Sequence, residues 1–390
     1  MIQVKEALSI IAENSCKMPV IKIKVSKSLG FILAKTIYSP MDMPPFRQSA
    51  MDGYAFLHCE LQQFDVVSTS KAGDFSNSVF KKNEAIRIFT GAFVPDNLDT
   101  VVMQEHTTVK NKTVEITKMP VRFANVRNKG EQIKEAELVL EKNTQITPAA
   151  IGFLACLGIT EIKVYSKPKV AIIATGNELV KAGKKLPMGK IYESNSVMLK
   201  VALKELSIKK IKIFRIKDTL NATKSVLKKC LSTYDLVLVS GGISVGDYDF
   251  VKEALEFNSV TQLFYTVNQK PGKPLYFGKK AQTIVFALPG NPASTLTSFY
   301  VYVVAALNKM MGFQPVHLTE IKRKINVDFE NTTGKALFLK AFYDDKNVTI
   351  LESQSSAMLN TFAVANGFVY LAYDEVNIQK NQEVIVIPIH

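Results

Sequence analysis

The sequence predicts a multidomain α/β plus β protein, with a central doubly wound α/β domain, an inserted β-rich domain ahead of it and a small C-terminal β-barrel or sandwich. Three observations carry that expectation. At 390 residues the chain exceeds one ordinary core, because domains run to roughly 100–200 residues. From 168 to 312, continuous apolar runs end in glycine-bearing loops and are followed by helical spacing, as in parallel strands covered on both faces. On either side, short β-rich runs are broken by Gly, Pro and Asn, which suits small all-β modules.

Taken in order, "MIQVKEALSIIAENSC" places Val4, Leu8 and Ile11 at helical spacing with acids between them, an amphipathic helix. "LGFILAKTIYSP" follows and ends at Pro40. In "PPFRQSAMDGYAF", residues 44–56, two prolines stop regular pairing and Asp52-Gly53 marks a turn, which leaves Arg47, Ser49 and Met51 without a turn-forming reason to be there. Residues 61–146 hold the β-rich runs "AIRIF", "TVVMQEHTTVK" and "TVEITK". A helix restarts at Thr147-Pro148, a capping residue followed by proline at the first helical position, and stops at Gly158. The strands "KVAIIATGNEL", "YDLVLVSGGISVGD" and "TIVFALPGNPAS" then end in Gly176, in Gly241, Gly242 and Gly246, and in Gly290. The tail alternates strands and turns from 316 onward. These breaks give expected domains of 1–45 with 140–167, 46–139, 168–315 and 316–390.

Composition narrows the class. Apolar residues make up 47% and charged residues 22%, which points away from disordered and fibrous chains. No run approaches the roughly 18 apolar residues of a membrane span, and the N-terminus does not read as a signal peptide, so no membrane association and a cytoplasmic location are expected. Cys16, Cys59, Cys156 and Cys230 form no CxxC pair, so neither a disulfide framework nor a zinc site is signalled. The formal charge of +14 favours an anionic partner. The lysines lack interleaved aromatic platforms, so nucleic acid is not expected.

The three glycine loops collect beyond the carboxyl ends of the strands, where open α/β sheets bind ligands. Glycine turns opening into helices offer unpaired NH groups to anions, and a phosphate is the expected ligand. Asp247 stands where a P-loop needs lysine, and no GxGxxG occurs. In "QKPGKPLYFG", Lys270 and Lys273 flank a Pro-Gly turn and suit a phosphate or oxyanion, or else a solvated hairpin. In "LPGNPAS", helix capping alone accounts for Asn291 and Ser294. Asp52, Glu178, Asp218 and Asp249 would repel an anion unless a hard cation lies between, and Mg²⁺ is the usual mediator.

The ordered motifs "SAMDGYA", "RIFTGAFVPDNLDTVVMQE", "ATGNELV", "SGGISVGDYD", "KPGKPLYFG" and "LPGNPAS" resemble the molybdopterin molybdenumtransferase (MoeA) family, also represented in the gephyrin E domain. The resemblance covers essentially the whole chain. It implies a central domain similar to molybdopterin adenylyltransferase, a C-terminal β-barrel and an elongated homodimer whose sites are shared between subunits. The implied reaction inserts molybdate into adenylylated molybdopterin and releases AMP with Mg²⁺ present. By the same resemblance Asp52, Thr90, Glu178 and Asp249 are catalytic, and Asp52, Glu178, Asp218 and Asp249 hold the metal. Ser240, Gly241, Gly242, Ser244, Gly246, Lys270, Lys273, Pro289, Gly290, Asn291 and Ser356 bind the substrate. Molybdopterin adenylyltransferase and apo-molybdoenzymes or their chaperones are implied as further partners.

Three positions depart from the family pattern. Gln132, in "RNKGEQI", replaces an aspartate; Thr266 stands where a basic residue is common; and "ESQSSAML" lacks the glycines usual around the serine at 356. Two alternatives remain at this point: an adenylyltransferase-like enzyme, which ordinarily needs neither the β-rich insertion nor the barrel, and a dimeric ligand- or peptide-binding scaffold as in gephyrin.

Overall fold

Alternation along three strands decides the two faces of the central sheet. In Val170–Thr175, Leu236–Ser240 and Thr283–Leu288, Val170, Ile172, Leu236, Leu238, Ile284 and Phe286 enter one core, and Ala171, Ile173, Val237, Val239, Val285 and Ala287 enter the other. Each face is closed by helices, because side chains of successive strand residues point to opposite sides. Asn195–Glu205 and Val304–Met311 cover the first, and Leu220–Leu231 and Phe250–Phe257 the second. The sheet is therefore doubly wound.

The computed structural model describes residues 1–76, 78–243, 250–314 and 319–389; Ser244, Gly246, Asp247 and Asp249 lie outside the described residues. Strand Ile211–Ile216 pairs parallel with Val170–Thr175, which pairs parallel with Leu236–Ser240, and that strand with Thr283–Leu288. The parallel order then stops: Pro274–Lys280 and Thr261–Thr266 complete the sheet as an antiparallel hairpin. Lys270 and Lys273 sit in the connection of this hairpin, where Gln269–Lys270 pairs parallel with Ala336 and Leu337 of the C-terminal region.

The chain forms two compact units, Met1–Lys22 with Gly30–Ala34 and Lys163–His390, and Ile23–Leu29 with Lys35–Ile162. These units cut the chain differently from the four expected domains. Helix Val4–Asn14 buries Val4, Ala7 and Ile11 in the core of the α/β sheet, and Leu8 lies at the edge of that contact. The expected boundary at 315/316 falls within the first unit, whose core continues from the sheet into Phe338, Phe368 and Tyr370 of the C-terminal region.

That C-terminal region closes as a barrel. Ala336–Tyr343 pairs with both Asn347–Ile350 and Gly367–Leu371, and the circle is completed through Ile321–Ile325 and Glu383–Pro388. Closure removes the exposed edges that a small open sheet would leave.

The second unit is built on a six-stranded sheet. Its strand Gly53–Phe56 lies between Glu84–Ile88 and Thr100–Met103 and is buried on both faces. Gly53 is obligatory there, since a Cβ would stand 1.7 Å from the Val102 carbonyl oxygen. Helix Pro148–Cys156 follows Thr147, whose Oγ1 accepts from the Ala150 amide at 3.2 Å. Gly158, with φ of 71°, ends the turn that follows.

Candidate active site

In the second unit, pairing register places the acid. Gly53 lies opposite Ile88 in an antiparallel pair, so Asp52 meets the turn after Ile88. Asp52 Oδ1 accepts from the Thr90 amide at 2.7 Å and from Thr90 Oγ1 at 2.8 Å. The Thr90 backbone NH, then its hydroxyl, and more weakly the Arg87 charge hold the Asp52 carboxyl below its ordinary range.

The residues left over from the turn now have partners. The Arg47 guanidinium donates to the carbonyls of Pro95, Asp96 and Leu98 at 3.2, 3.2 and 2.8 Å. Ser49 Oγ donates to the Met51 carbonyl at 2.6 Å. Main-chain bonds tie Ser49 to Gly91 and Ala92, and Arg47 to Val94. The "SAMDGYA" and "FTGA" motifs are thus fixed to one another. Met51 stays exposed.

Sequence reasoning missed Arg87. Its guanidinium stacks over Tyr54 and Phe89 and donates to the Gly53 carbonyl at 3.0 Å and to Gln104 Oε1 at 2.5 Å. An arginine in a strand pattern gives no signal beyond a solvent-facing position. Gln132 lies elsewhere in this unit, with Met43, Pro44, Gln48, Arg127 and Glu131 around a cavity of about 310 Å³. Its amide cannot carry the negative charge of an aspartate.

In the first unit, the parallel strands bring the predicted loops to one rim. A cavity of about 450 Å³ is lined there by Glu178, Ser240, Gly241, Gly290 and Asn291, together with Thr175, Glu193 and Asn195. Gly241, with φ of 91°, turns so tightly that a Cβ would lie 2.9 Å from the Thr175 carbonyl. Gly242 is left-handed too, with φ of 69°. Asp218 follows its strand as expected, where its Oδ1 accepts from Thr175 Oγ1 at 2.9 Å.

Asn195 ties the rim together. Its Nδ2 lies 2.8 Å from Ser240 Oγ and 2.8 Å from the Gly290 carbonyl, which makes it a site-building residue that no glycine motif announced. Glu193 is buried and committed: it accepts from the Ser196 amide and hydroxyl, both at 2.6 Å, and pairs with Arg215 at 3.2 Å.

A second cavity, of about 640 Å³, is lined by Lys270, Lys273, Pro289, Asn291, Ser294, Lys335 and Ser356, among others. Buried Gln269 shapes its floor by donating to the carbonyls of Pro271 and Gly272, both at 3.1 Å, and by accepting from the Tyr302 hydroxyl. Lys270 and Lys273 are exposed at the lip. Thr266 ends the neighbouring strand, and its carbonyl accepts from the Ile2 amide.

Helix capping does not explain Asn291, contrary to the sequence expectation. Asn291 precedes helix Pro292–Ser298 but makes no side-chain cap. Its Nδ2 instead donates to Ser356 Oγ at 2.9 Å, and the Ser356 carbonyl accepts from the Ala293 and Ser294 amides. Ser356, from beyond the barrel strand Asn347–Ile350, is brought to the rim. Among the described residues no group of three or more His, Cys, Asp or Glu could hold a metal ion, and Asp249 lies outside them.

Three family descriptions match in succession: the MoeA N-terminal region (domain I and II) over residues 2–158, a probable molybdopterin binding domain over 171–309, and the MoeA C-terminal region (domain IV) over 322–389. A protein of Haemophilus influenzae named molybdopterin molybdenumtransferase is 34% identical over 380 residues, covering 94% of this chain and 93% of its own. One of the same name from Staphylococcus epidermidis is 35% identical over 383 residues, covering 95% and 91%. The crystal structure of a molybdopterin biosynthesis MoeA protein from Pyrococcus horikosii superposes with a TM-score of 0.84 at 28% identity, covering 100% of this chain and 99% of that one.

Proposed function

The chain belongs to the MoeA family, and from that membership we propose that it is a molybdopterin molybdenumtransferase, inserting molybdate into adenylylated molybdopterin with release of AMP. The observation that supports this reading best is the lysine-lined cavity at the sheet rim, into which four separate segments, 269–274, 289–294, Lys335 and 354–356, converge. An oxyanion suits such a place, because exposed ammonium groups and hydroxyl donors meet it without a desolvated acid nearby.

In this reading Lys270 and Lys273 bind the tetrahedral oxyanion, and Asn291, Ser294 and Ser356 orient it. Ser240, Gly241, Gly242 and Gly290, braced by Asn195, hold the pterin phosphate side in the adjoining cavity. The two cavities share Asn291, so one substrate can extend across both. Two Mo–S bonds form as an oxo oxygen of molybdate leaves as water with the dithiolene thiol protons, and water splits the phosphoanhydride so that AMP departs and the pterin keeps its phosphate; the protein forms no covalent intermediate.

Asp52, with its charge fixed by Thr90, acts from the partner subunit of a homodimer. Mg²⁺ belongs to the proposal through Glu178, Asp218, Asp249 and Asp52. The described residues alone do not fit a resident cation, so no step runs through it. Molybdopterin adenylyltransferase as the donor of substrate, and apo-molybdoenzymes or their chaperones as acceptors, complete the proposed partners. No described helix is long and apolar enough to cross a membrane; a cytoplasmic location is part of the proposal.

The adenylyltransferase alternative is not favoured, since the N-terminal and C-terminal MoeA regions are both present. The test is single-turnover AMP release from adenylylated molybdopterin with and without molybdate, scored beside reconstitution of a molybdenum-free apoenzyme. Molybdate-dependent release with an active product supports the reading. Tight binding without release would reduce the protein to a ligand-binding relative.

A further inference from the structure

Strand Ala336–Tyr343 divides its side chains between two cores. Leu337, Leu339 and Ala341 fill the barrel, while Ala336 and Phe338 join the core shared with the α/β sheet. By the same alternation Lys340 belongs to the second face, and it is only 3% exposed. A cation in that position is costly unless its donors are satisfied.

The satisfaction comes from a single short loop. Lys340 Nζ donates to the carbonyls of Ser353, Met358 and Ser355 at 2.8, 3.2 and 3.3 Å, and it lies over the Phe362 ring at 5.9 Å. Among the described residues no carboxylate pairs with it, and burial lowers its pKa from the ordinary lysine value. Its main chain grips the same loop: the Lys340 amide donates to Gln354 Oε1 at 2.9 Å, and Gln354 Nε2 donates back to the Lys340 carbonyl at 2.9 Å.

Three carbonyls within 353–358 that converge on one ammonium fix the curvature of the loop, and Ser356 lies in the middle of it. Its carbonyl accepts from the Ala293 amide at 3.0 Å and the Ser294 amide at 3.3 Å, and its hydroxyl accepts from Asn291.

We infer that Lys340 is a positioning residue: by gathering the carbonyls of Ser353, Ser355 and Met358, it sets the loop that presents Ser356 to Asn291 and forms one wall of the lysine-lined cavity. The kinetic consequence rests on the proposed function; the conformational one does not. Lys340 touches no substrate in this account and acts only through Ser356.

The experiment is hydrogen exchange on the full-length protein, read at the Ala293 and Ser294 amides, with Val170–Thr175 as an internal reference. Lys340→Met is expected to speed exchange at Ala293 and Ser294 by about tenfold or more, the factor for losing roughly 1.4 kcal/mol of local hydrogen bonding, while the reference strand stays protected. Lys340→Arg, which keeps a cationic donor, is expected to restore most of that protection. In the insertion assay the Met variant raises KM for molybdate more than it lowers kcat, and Arg reverses the change. If Lys340→Met does not fold, Lys340→Gln carries the same expectation. A folded Met or Gln variant with unchanged protection at Ala293 and Ser294 overturns the inference, as does an Arg variant no better than Met. Failure of the wild-type protein to insert molybdate would sink the functional reading and leave the exchange result standing.

Discussion

In the second unit a single carboxylate, that of Asp52, is fixed on an exposed turn by two hydrogen bonds from Thr90, and the arrangement follows from the register of adjacent strands. In the first unit the polar groups of the rim come from Thr175, Asn195, Ser240, Gly290 and Ser356, far apart in sequence and brought together by parallel strand pairing and, at Ser356, by docking of the barrel loop. One region offers a preset acid on an exposed turn; the other offers a cavity lined with lysines and hydroxyls beside a second one that holds Glu178. By the resemblance to the MoeA family, the proposal assigns the acid to one subunit and the lysine-lined cavity to its partner.

The largest effect expected from this contrast is at Asp52. Asp52→Asn lowers the insertion rate by about a hundredfold or more, the scale of removing a charge-stabilising group from an active site, with an almost unchanged melting temperature. A large thermal loss would mean the acid serves the turn rather than the reaction.

Paired glycine substitutions sharpen the contrast on the side of stability. Gly53→Ala collides with the Val102 carbonyl and is expected to destabilise the protein by about 3 kcal/mol or more in denaturant titrations. Gly290→Ala meets nothing nearer than Gly241 Cα at 3.9 Å, so its stability cost is expected to be small. Similar costs at both positions would contradict the view that backbone crowding is severe at the first and mild at the second.

A smaller effect is expected from Lys270→Met. Removal of one charged donor raises KM for molybdate by about 10–100-fold, the equivalent of roughly 1.5–3 kcal/mol for a hydrogen bond to a charged group, and weakens the salt dependence of binding. Unchanged KM across an ionic-strength series would place the oxyanion elsewhere.

The smallest concerns proton affinity. Thr90 hydrogen bonds depress the Asp52 pKa, so the stabilisation they give is complete above the ordinary aspartate pKa and is lost as pH falls through the lower folded value. Thr90→Val, which removes the hydroxyl and keeps the amide, moves the titration part of the way up, as read from the Asp52 carboxyl carbon signal in NMR. No upward movement would show that the amide alone sets the charge.

The rim was legible in the sequence because continuous apolar strands and glycines at their ends are direct marks of a parallel sheet and its loops. The antiparallel hairpin that completes the sheet was not, since "QLFYT" and "PLYFG" carry no mark of strand direction. Asn195 and Asn291 both precede or open helices, where capping is the ordinary reading, and only the folded chain shows their side chains turned toward other segments. Lys340 in "LFLKAFY" reads as an outward-facing charge on a barrel strand. Its burial depends on the loop from 351 to 361, which no local pattern connects to it.

The measurement that bears most directly on the division of labour between the two regions is complementation in mixed dimers of Asp52→Asn and Glu178→Gln subunits. Each homodimer is expected to be inactive in molybdate-dependent AMP release, and verified heterodimers are expected to regain activity, because one of their two sites then draws intact groups from both chains. Heterodimers as inactive as the parents would contradict a site shared between subunits.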